Sequence, residues 1–320
     1  MNIVYDGTMN SRTFKDVVGE VIPQLAEADP DFIYLDCDLM SCIGTAKWGN
    51  AHPDRAINCG IAESNMIGVA AGLASQGFKP VCHTFGPFAS RRCFDQLFLS
   101  AGYTGNDITV IGSDAGICAA FNGGTHMPFE DMALYRAIPT ATVIDIADAS
   151  QMEGVLKQIS SVPGVKYIRC SRKNAAKIYA DGETFEIGKG IPLREGKDAV
   201  VFATGIMIHE AFQAAEMLAK EGIEISIVDM FTVKPLDKEC ALKYAKATGA
   251  VVTAENHNKI GGLFSAVSEA LATEMTVPME YVAVEDCYGE VGPQDYLRTR
   301  FDLTADHIVR KVKKAIARKG

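Results

Sequence analysis

One carboxylate in this sequence has surroundings that would change its chemistry. Glu63 lies in the run 57–74, whose other residues are mostly apolar or small. A helix that is apolar on all sides is expected to be buried, and an unpaired buried charge is costly in free energy. A carboxyl group in such a site can donate a proton to a ring nitrogen of a bound heterocycle. The alternative is an ordinary acidic residue at a helix N-terminus, bonded to backbone N–H groups.

Two aromatic residues follow in the next strand–helix unit. Phe85 and Phe88 stand on either side of a Gly-Pro pair, at the end of the predicted strand 79–85. Open α/β folds bind ligands at the carboxyl edge of the sheet, where aromatic faces can stack on a planar ring. The alternative is a pair of core phenylalanines. The position of Glu63 one unit earlier favours a binding site.

A glycine-rich loop and a strand end supply two further candidates. His126 lies in the loop 119–131, after a predicted strand and before a predicted helix, and is a candidate acid or base. Arg172 follows the predicted strand 165–171 and could bind an anionic group. The alternatives are a surface histidine and a solvated arginine in a linker.

These residues need a scaffold, and the pattern of apolar residues predicts one. Short β-branched runs predict strands, and they alternate with segments of helical period such as 206–221, 237–248 and 261–274. The predicted strands are 31–35, 79–85, 107–113, 140–146, 165–171, 198–205, 224–231, 249–255 and 279–285. This alternation indicates an α/β protein with doubly wound, largely parallel sheets covered by helices.

The polar segment 172–197 is the best candidate for a linker between two domains, because turn-forming residues recur along it. We therefore predict one α/β domain over residues 1–185 and a second over residues 186–320. Both lengths are ordinary for a domain.

Composition excludes several classes of function. The chain has 320 residues, 48% of them hydrophobic, and a formal net charge of -9, which disfavours binding to nucleic acid. The first residues lack the basic and apolar regions of a signal peptide, and no apolar stretch is long enough to span a membrane. Nine cysteines without C-x-x-C spacing suggest reduced core residues, so we expect a cytoplasmic protein.

Several motifs are absent from the sequence. It has no G-x-G-x-x-G after a strand and no Walker lysine loop, so neither a dinucleotide nor an ATP site is indicated. Its six histidines show no ligand spacing, so we expect no metal site made by this chain alone.

Taken in order, the segments around Glu63, Phe85 and His126 resemble the pyrimidine-binding domain of transketolase. The segments 229–237 (D-M-F-T-V-K-P-L-D) and 255–263 (E-N-H-N-K-I-G-G-L) resemble the C-terminal domain of that family. The resemblance runs from about Arg12 to the end of the chain. Transketolases bind thiamine diphosphate through Mg²⁺ and a G-D-G…N motif in a further, N-terminal domain, and this chain has no G-D-G. The chain thus resembles the C-terminal subunit of a split transketolase.

The resemblance implies a role for each candidate residue. Glu63 would bond the pyrimidine ring of thiamine diphosphate and take part in catalysis with His126, which would contact hydroxyl groups of the donor sugar. Cofactor-binding roles are implied for Phe85, Phe88, Arg91 and Asp38, and substrate-binding roles for Arg172, Arg12, Asn122 and Ser113.

Three of these positions depart from the family pattern. Ser113 stands where many transketolases have histidine, and Asn122 where they usually have aspartate. Both family residues contact the sugar, so we expect a specialised ketose donor in place of the usual sugar phosphate. Arg91 stands where larger transketolases often have tyrosine, which would change the wall that faces the cofactor.

The expected partner is a separate N-terminal subunit that carries the G-D-G…N motif and holds Mg²⁺ and the diphosphate. Two copies of each chain with two-fold symmetry would form the active heterotetramer. The substrates would be sugars or sugar phosphates.

Three other functions remain open at this stage. The chain could be the β subunit of a 2-oxo acid dehydrogenase decarboxylase, or half of an enzyme similar to deoxyxylulose phosphate synthase. It could also be an interaction subunit that kept the fold and lost the chemistry. The G-T-H loop at 124–126 and the segment 229–237 favour transketolase.

Overall fold

The chain forms two β-sheets flanked by helices in this computed structural model, which describes residues 1–319. The strands are β1 Phe32–Asp36, β2 Ala56–Asn58, β3 Lys79–Phe85, β4 Ile108–Ser113, β5 Thr142–Asp145, β6 Val165–Arg169, β7 Ile191–Arg194, β8 Ala199–Ala203, β9 Ile225–Asp229, β10 Thr232–Lys234, β11 Val251–Asn258 and β12 Met279–Val284. The helices are α1 Phe14–Ala28, α2 Met40–Ile43, α3 Ala46–Ala51, α4 Glu63–Ser75, α5 Gly86–Ala89, α6 Phe94–Gln96, α7 Asp131–Arg136, α8 Ala149–Leu156, α9 Met207–Ala219, α10 Lys238–Thr248, α11 Leu263–Ala272, α12 Gln294–Arg300 and α13 Ala305–Ile316.

The first sheet has the strand order β10-β5-β6-β4-β3-β1-β2. Its strands are parallel except β10, which pairs antiparallel with β5. Every residue of β1, β4, β5 and β6 is buried, including Lys166 and Arg169 of β6, as expected for the strands of a parallel sheet covered on both faces. Phe85 pairs with Ser113, and Gly112 pairs with Arg169. The register thus brings the ends of three strands to one edge of the sheet.

The second sheet has the order β12-β11-β8-β9-β7, with β7 antiparallel to β9 and the other pairs parallel. Helix α13 buries Ile308, Val309 and Val312 while Arg310 and Lys313 face solvent. The predicted α/β class and all nine predicted strands are confirmed, with ends that shift by up to three residues.

Two features of the structure were not expected from the predicted division, in which the segment 172–197 links two domains. The segment contains β7, and it buries Ile178, Tyr179 and Phe185 in the main core. The turn-forming residues of this segment predicted that it would be exposed to solvent. The apolar residues between them are instead packed into the core. The second difference concerns β10, which follows the second sheet's β9 yet completes the first sheet. The boundary near residue 185 stays a prediction.

None of the helices within residues 1–319 combines the length and the apolar character needed to cross a bilayer. The nine cysteines are free, and five of them are buried.

Candidate active site

Glu63 is the first residue of α4 and is buried, as predicted, with 2% of its surface exposed. Its carboxylate does not lack a partner, so that part of the expectation is wrong. Arg92 Nη1 donates to Glu63 Oε2 at 2.9 Å, and Thr84 Oγ1 lies 3.3 Å from Oε1. The alternative, in which Glu63 bonds backbone N–H groups at the helix N-terminus, does not agree with these contacts, because both partners of the carboxylate are side chains. Arg92 was missed from the sequence, where only its neighbour Arg91 was singled out.

Phe85, Phe88 and His126 form an aromatic cluster at the carboxyl edge of the first sheet. The ring centroids of Phe85 and Phe88 are 6.4 Å apart, and His126 lies 5.9 Å from the first and 5.0 Å from the second. The guanidinium of Arg92 stacks 3.7 Å from the centre of the Phe88 ring. One arginine therefore contacts both the buried carboxylate and the aromatic wall.

The glycine at the end of β3 explains how the His126 loop can approach these rings. A Cβ atom on Gly86 would lie 2.6 Å from Cγ of Pro128, which is closer than real Cβ contacts come. Pro87 lies in the first turn of α5, where its missing N–H is not needed. The Gly-Pro pair thus ends the strand and leaves room for the loop.

A polar cluster adjoins the aromatic one. Asp114 is buried and has a positive φ of 63°, and it accepts hydrogen bonds from Arg172 Nε at 2.7 Å and from Asn122 Nδ2 at 3.2 Å. The guanidinium of Arg172 lies 5.0 Å from the centre of the Phe85 ring. The structure therefore brings Arg172 and Asn122 together beside the aromatic cluster, and Arg172 is not a solvated linker residue.

Ser113 lies behind this surface. Its side chain is fully buried, and its hydroxyl is 3.0 Å from Nε2 of His83. Nδ1 of His83 lies 2.7 Å from Asp36 Oδ2, which also accepts a hydrogen bond from Tyr34. In this structure the hydroxyl contacts protein, and its predicted contact with substrate stays a prediction. His83 was not predicted as a site residue from the sequence, because it stands inside a mainly apolar strand.

The two remaining cofactor-binding candidates are Arg91 and Asp38. Arg91 donates to Glu130 Oε1 at 2.5 Å and to the carbonyl of Thr125, which precedes His126. Asp38 is exposed after β1, and its carboxylate accepts a hydrogen bond from Asn58 at 3.3 Å.

Arg12 is occupied by two carboxylates outside the cluster. It forms ion pairs with Glu20 and with Glu153, the latter at 2.7 Å. Its guanidinium charge is compensated by these pairs, so nothing in its contacts points to an anion site. Its role in substrate binding stays a prediction.

A buried arginine of the first sheet joins the edge of that sheet to the second domain. Arg169 donates to Asp131 at 2.8 Å and to the backbone carbonyls of Pro128 and Asn256. The Asn256 side chain in turn bonds the carbonyl of Ala115 at 2.9 Å and the N–H of Ile117 at 3.0 Å. The loops after β4 and before α7 are therefore held by the second domain.

Two titratable groups of the second domain adjoin this arginine. Burial raises the pKa of Glu255 to about 7, although the backbone N–H groups of Phe264 and Leu263 oppose the shift. Burial also lowers the pKa of His257 to about 4, so the imidazole is neutral at physiological pH. Within residues 1–319, no group of three or more His, Cys, Asp or Glu side chains is arranged to bind a metal ion.

Comparison with protein families identifies the class of protein. Residues 10–177 match the model of the transketolase pyrimidine-binding domain, and residues 188–308 match that of the transketolase C-terminal domain. The chain belongs to the transketolase family and is a transferase.

Individual relatives show which part of a transketolase the chain represents. It is 44% identical to the 6-deoxy-6-sulfo-D-fructose transketolase subunit SqwH of Clostridium sp. (strain MSTE9), over 100% of this chain and 99% of that protein. It is 35% identical to a putative transketolase C-terminal section of Methanocaldococcus jannaschii, over 92% of this chain and 93% of the relative. Human transketolase is 34% identical over 94% of this chain, which spans 48% of the human enzyme. The chain is thus a subunit of the split-transketolase type.

A solved structure supports the same conclusion. The structure described as "Split gene transketolase, inactive beta4 tetramer" superposes with a TM-score of 0.89 at 37% sequence identity, covering 97% of this chain and 100% of the other. The structural match therefore agrees with the assignment of the chain to the transketolase family.

Proposed function

We propose that this chain pairs with an N-terminal subunit to form a transketolase, which moves a two-carbon ketol unit from a ketose to an aldose. The observation that carries the proposal is the buried carboxylate of Glu63 at the start of α4, joined through Arg92 to the partly exposed ring of Phe88. This arrangement supports binding of a planar heterocycle with a ring nitrogen, and the family depends on thiamine diphosphate.

The residues present fit the pyrimidine half of that cofactor. Phe85 and Phe88 would pack on the ring, Glu63 would share a proton with a ring nitrogen, and Arg91 would line the wall near the His126 loop. When bound, thiamine diphosphate supplies the electron sink for cleavage of a carbon–carbon bond. His126, between the two phenylalanines, would bond donor hydroxyls and move protons.

The diphosphate half needs groups that residues 1–319 do not arrange, since they hold no cluster of metal ligands. We assign Mg²⁺ and the diphosphate to a partner subunit with the G-D-G…N motif. The related tetramer made of one chain type is described as inactive, which supports a requirement for a second chain.

Exposed apolar side chains beside α4 support an interface along this helix. Ile61, just before α4, is 77% exposed, and Leu99 and Tyr103 are 49% and 84% exposed on the π-helical segment 97–103 that packs against α4. Large exposed apolar patches mark interaction sites. We propose that the partner chain and a second copy of this chain cover this surface in a cytoplasmic heterotetramer.

For the donor we propose a sulfonated ketose, 6-deoxy-6-sulfo-D-fructose or a close analogue. The support is the relative that carries this name and matches the whole chain at 44% identity. Arg172 beside the aromatic cluster is the candidate contact for the anionic group, and Asn122 is the candidate for the polar remainder of the site. The cofactor-binding role expected for Asp38 stays a prediction. Ser113 and Arg12 would join them only if their present contacts rearranged.

The test is an assay of the assembled enzyme with either 6-deoxy-6-sulfo-D-fructose or fructose 6-phosphate as donor and an aldose phosphate as acceptor. We expect higher kcat/KM with the sulfonated donor. Glu63→Gln should lower kcat at least about 100-fold, the usual scale for losing a proton-transfer group. Glu269→Gln, which changes an exposed ion pair with Arg136, is the matched control and should keep wild-type turnover.

Each part of the proposal can fail separately. Equal kcat/KM with both donors would overturn the donor assignment and leave the transketolase. Unchanged turnover in Glu63→Gln would instead support a non-catalytic interaction subunit. Decarboxylation of a 2-oxo acid with transfer to a lipoyl group, or condensation of pyruvate with an aldose phosphate, would favour the two related enzyme classes.

A further inference from the structure

A cavity of about 480 Å³ lies at the edge of the first sheet opposite to the candidate active site. The amino ends of β3 and β4 line it through Val81 and Thr109, and the carboxyl ends of the same strands carry Phe85 and Ser113. A strand of seven residues spans roughly 20 Å. The cavity is therefore separate from the site assigned to thiamine diphosphate.

The floor of this amino-end cavity contains a buried lysine. Val81, Thr109 and Lys166 are register partners on β3, β4 and β6, and all three line the cavity. Lys166 is only 3% exposed, and its ammonium forms no ion pair within the described residues 1–319. Burial lowers its pKa to about 8, and the negative charge of Asp107 opposes the shift.

The two other lysines that line the cavity form ion pairs of their own. Lys79 forms an ion pair with Asp29 at 2.6 Å, and Lys157 forms one with Glu153 at 2.6 Å. The carboxylate of Asp107 accepts a hydrogen bond from the backbone N–H of Gly164. Lys166 is thus the lysine lining this cavity that forms no ion pair among residues 1–319, and an anionic ligand could stabilise its ammonium.

The walls indicate the shape of that ligand. Phe32 and Phe78 line the cavity together with Leu25 and Ile159, and Phe78 is 36% exposed. Polar groups line it as well, among them Asn106 and the hydroxyls of Thr109 and Ser160. A cavity that combines these apolar side chains with an ammonium lacking an ion pair fits a molecule with an apolar body and a negative group.

We propose that the amino-end cavity is a second small-molecule site that binds a small organic anion, with the anionic group on the Lys166 ammonium and the apolar body against Phe32 and Phe78. The proposal does not depend on the catalytic role of the chain.

Calorimetric titration of the full chain with benzoate tests this site. We expect wild-type protein to bind benzoate, and Lys166→Met, which keeps the apolar stem, to bind it at least tenfold more weakly. Lys177→Met removes a partly exposed lysine outside the cavity and should bind like the wild type. No binding by the wild type, or equal affinity in Lys166→Met, would overturn the proposal.

If Lys166→Met does not fold, a labelling experiment on the wild type tests whether benzoate binds at Lys166. Benzoate should slow acetylation of Lys166 by acetic anhydride, read by mass spectrometry, without slowing that of Lys177. Ser160→Trp, which fills the exposed side of the cavity while Lys166 stays intact, should abolish the protection. Labelling of Lys166 that is indifferent to benzoate would refute the site.

Discussion

At the scale of single residues, the pair Glu63 and Arg92 defines the candidate active site. The sequence around Glu63 predicts burial correctly, but the arginine that joins it stands 29 positions later in the chain. Arg92 also stacks on Phe88, so it connects the carboxylate to the aromatic wall. The side chain of Arg92 is 43% exposed, whereas that of Glu63 is 2% exposed, so the pair reaches solvent through the arginine.

Replacing Arg92 with alanine should lower the free energy of unfolding by about 1–3 kcal/mol, because it leaves a buried carboxylate without its cation. The adjacent Arg91→Ala is the matched control, and it should cost about 0–1 kcal/mol, since its pair with Glu130 is partly exposed. Urea unfolding of both variants measures the difference. Equal losses would show that the contact with Glu63 adds nothing to stability.

At the scale of elements, the loops at the carboxyl edge of the first sheet depend on close backbone contacts. Gly116 begins the 3₁₀ segment Gly116–Asn122 with a φ of +49°, and a Cβ atom there would lie 2.2 Å from Oδ1 of Asn256. The same amide bonds Ile117 and Ala115. One glycine therefore lets a residue of the second domain reach the loop that leads to Asn122.

Gly116→Ala should destabilise the chain by roughly 2 kcal/mol or more, because strain at positive φ adds to the clash with Asn256. Gly105→Ala isolates the first of these effects. Gly105 also has a positive φ, but nothing lies within 4 Å of its would-be Cβ, so we expect a loss of about 1 kcal/mol. If urea unfolding gave the same value for both variants, the contact between the domains would not limit stability here.

At the scale of the whole molecule, the two domains are joined by buried polar contacts as well as by β10. Asp229, at the end of β9, accepts hydrogen bonds from Tyr179 at 2.6 Å and from Gln151 of α8 at 2.8 Å. Burial raises the pKa of Asp229 to about 7 from its usual 3.8, against the effect of these two donors. The connection between the domains therefore contains a group that titrates near neutral pH.

The sign of its effect on stability follows from the direction of this shift. Between pH 3.8 and 7 the folded chain binds a proton at Asp229 that the unfolded chain does not bind. The stabilisation of the folded chain by this proton is fully present below pH 3.8 and is lost as the pH rises through 7. The free energy of unfolding of the wild type, minus that of Asp229→Asn, should fall by roughly 2 kcal/mol from pH 5 to pH 8.

Urea unfolding at a series of pH values provides this measurement. The exposed Asp54→Asn is the control, and its difference from the wild type should stay flat over the same range. A flat curve for Asp229→Asn as well would mean that Asp229 is ionised in the folded chain throughout. Glu255, whose pKa is also about 7, is present in all three proteins, so its contribution cancels in the differences.

Local patterns in the chain were enough to derive the α/β class, the nine strands and the edge where Phe85, Phe88 and His126 meet. Alternating apolar runs report which segments are buried, and the ends of parallel strands must share an edge. The ordered motifs added the family, which the comparisons then showed.

Contacts between distant residues were decided only by the folded chain. The pairing of Arg92 with Glu63, the burial of Ser113 against His83 and the addition of β10 to the first sheet join positions 29, 30 and about 90 residues apart. No local period encodes such contacts, because they depend on register and on which helix packs over which strand. The buried Lys166 follows the same rule: within its strand it reads as a polar residue facing solvent, and the helix and loop packed over that face enclose it.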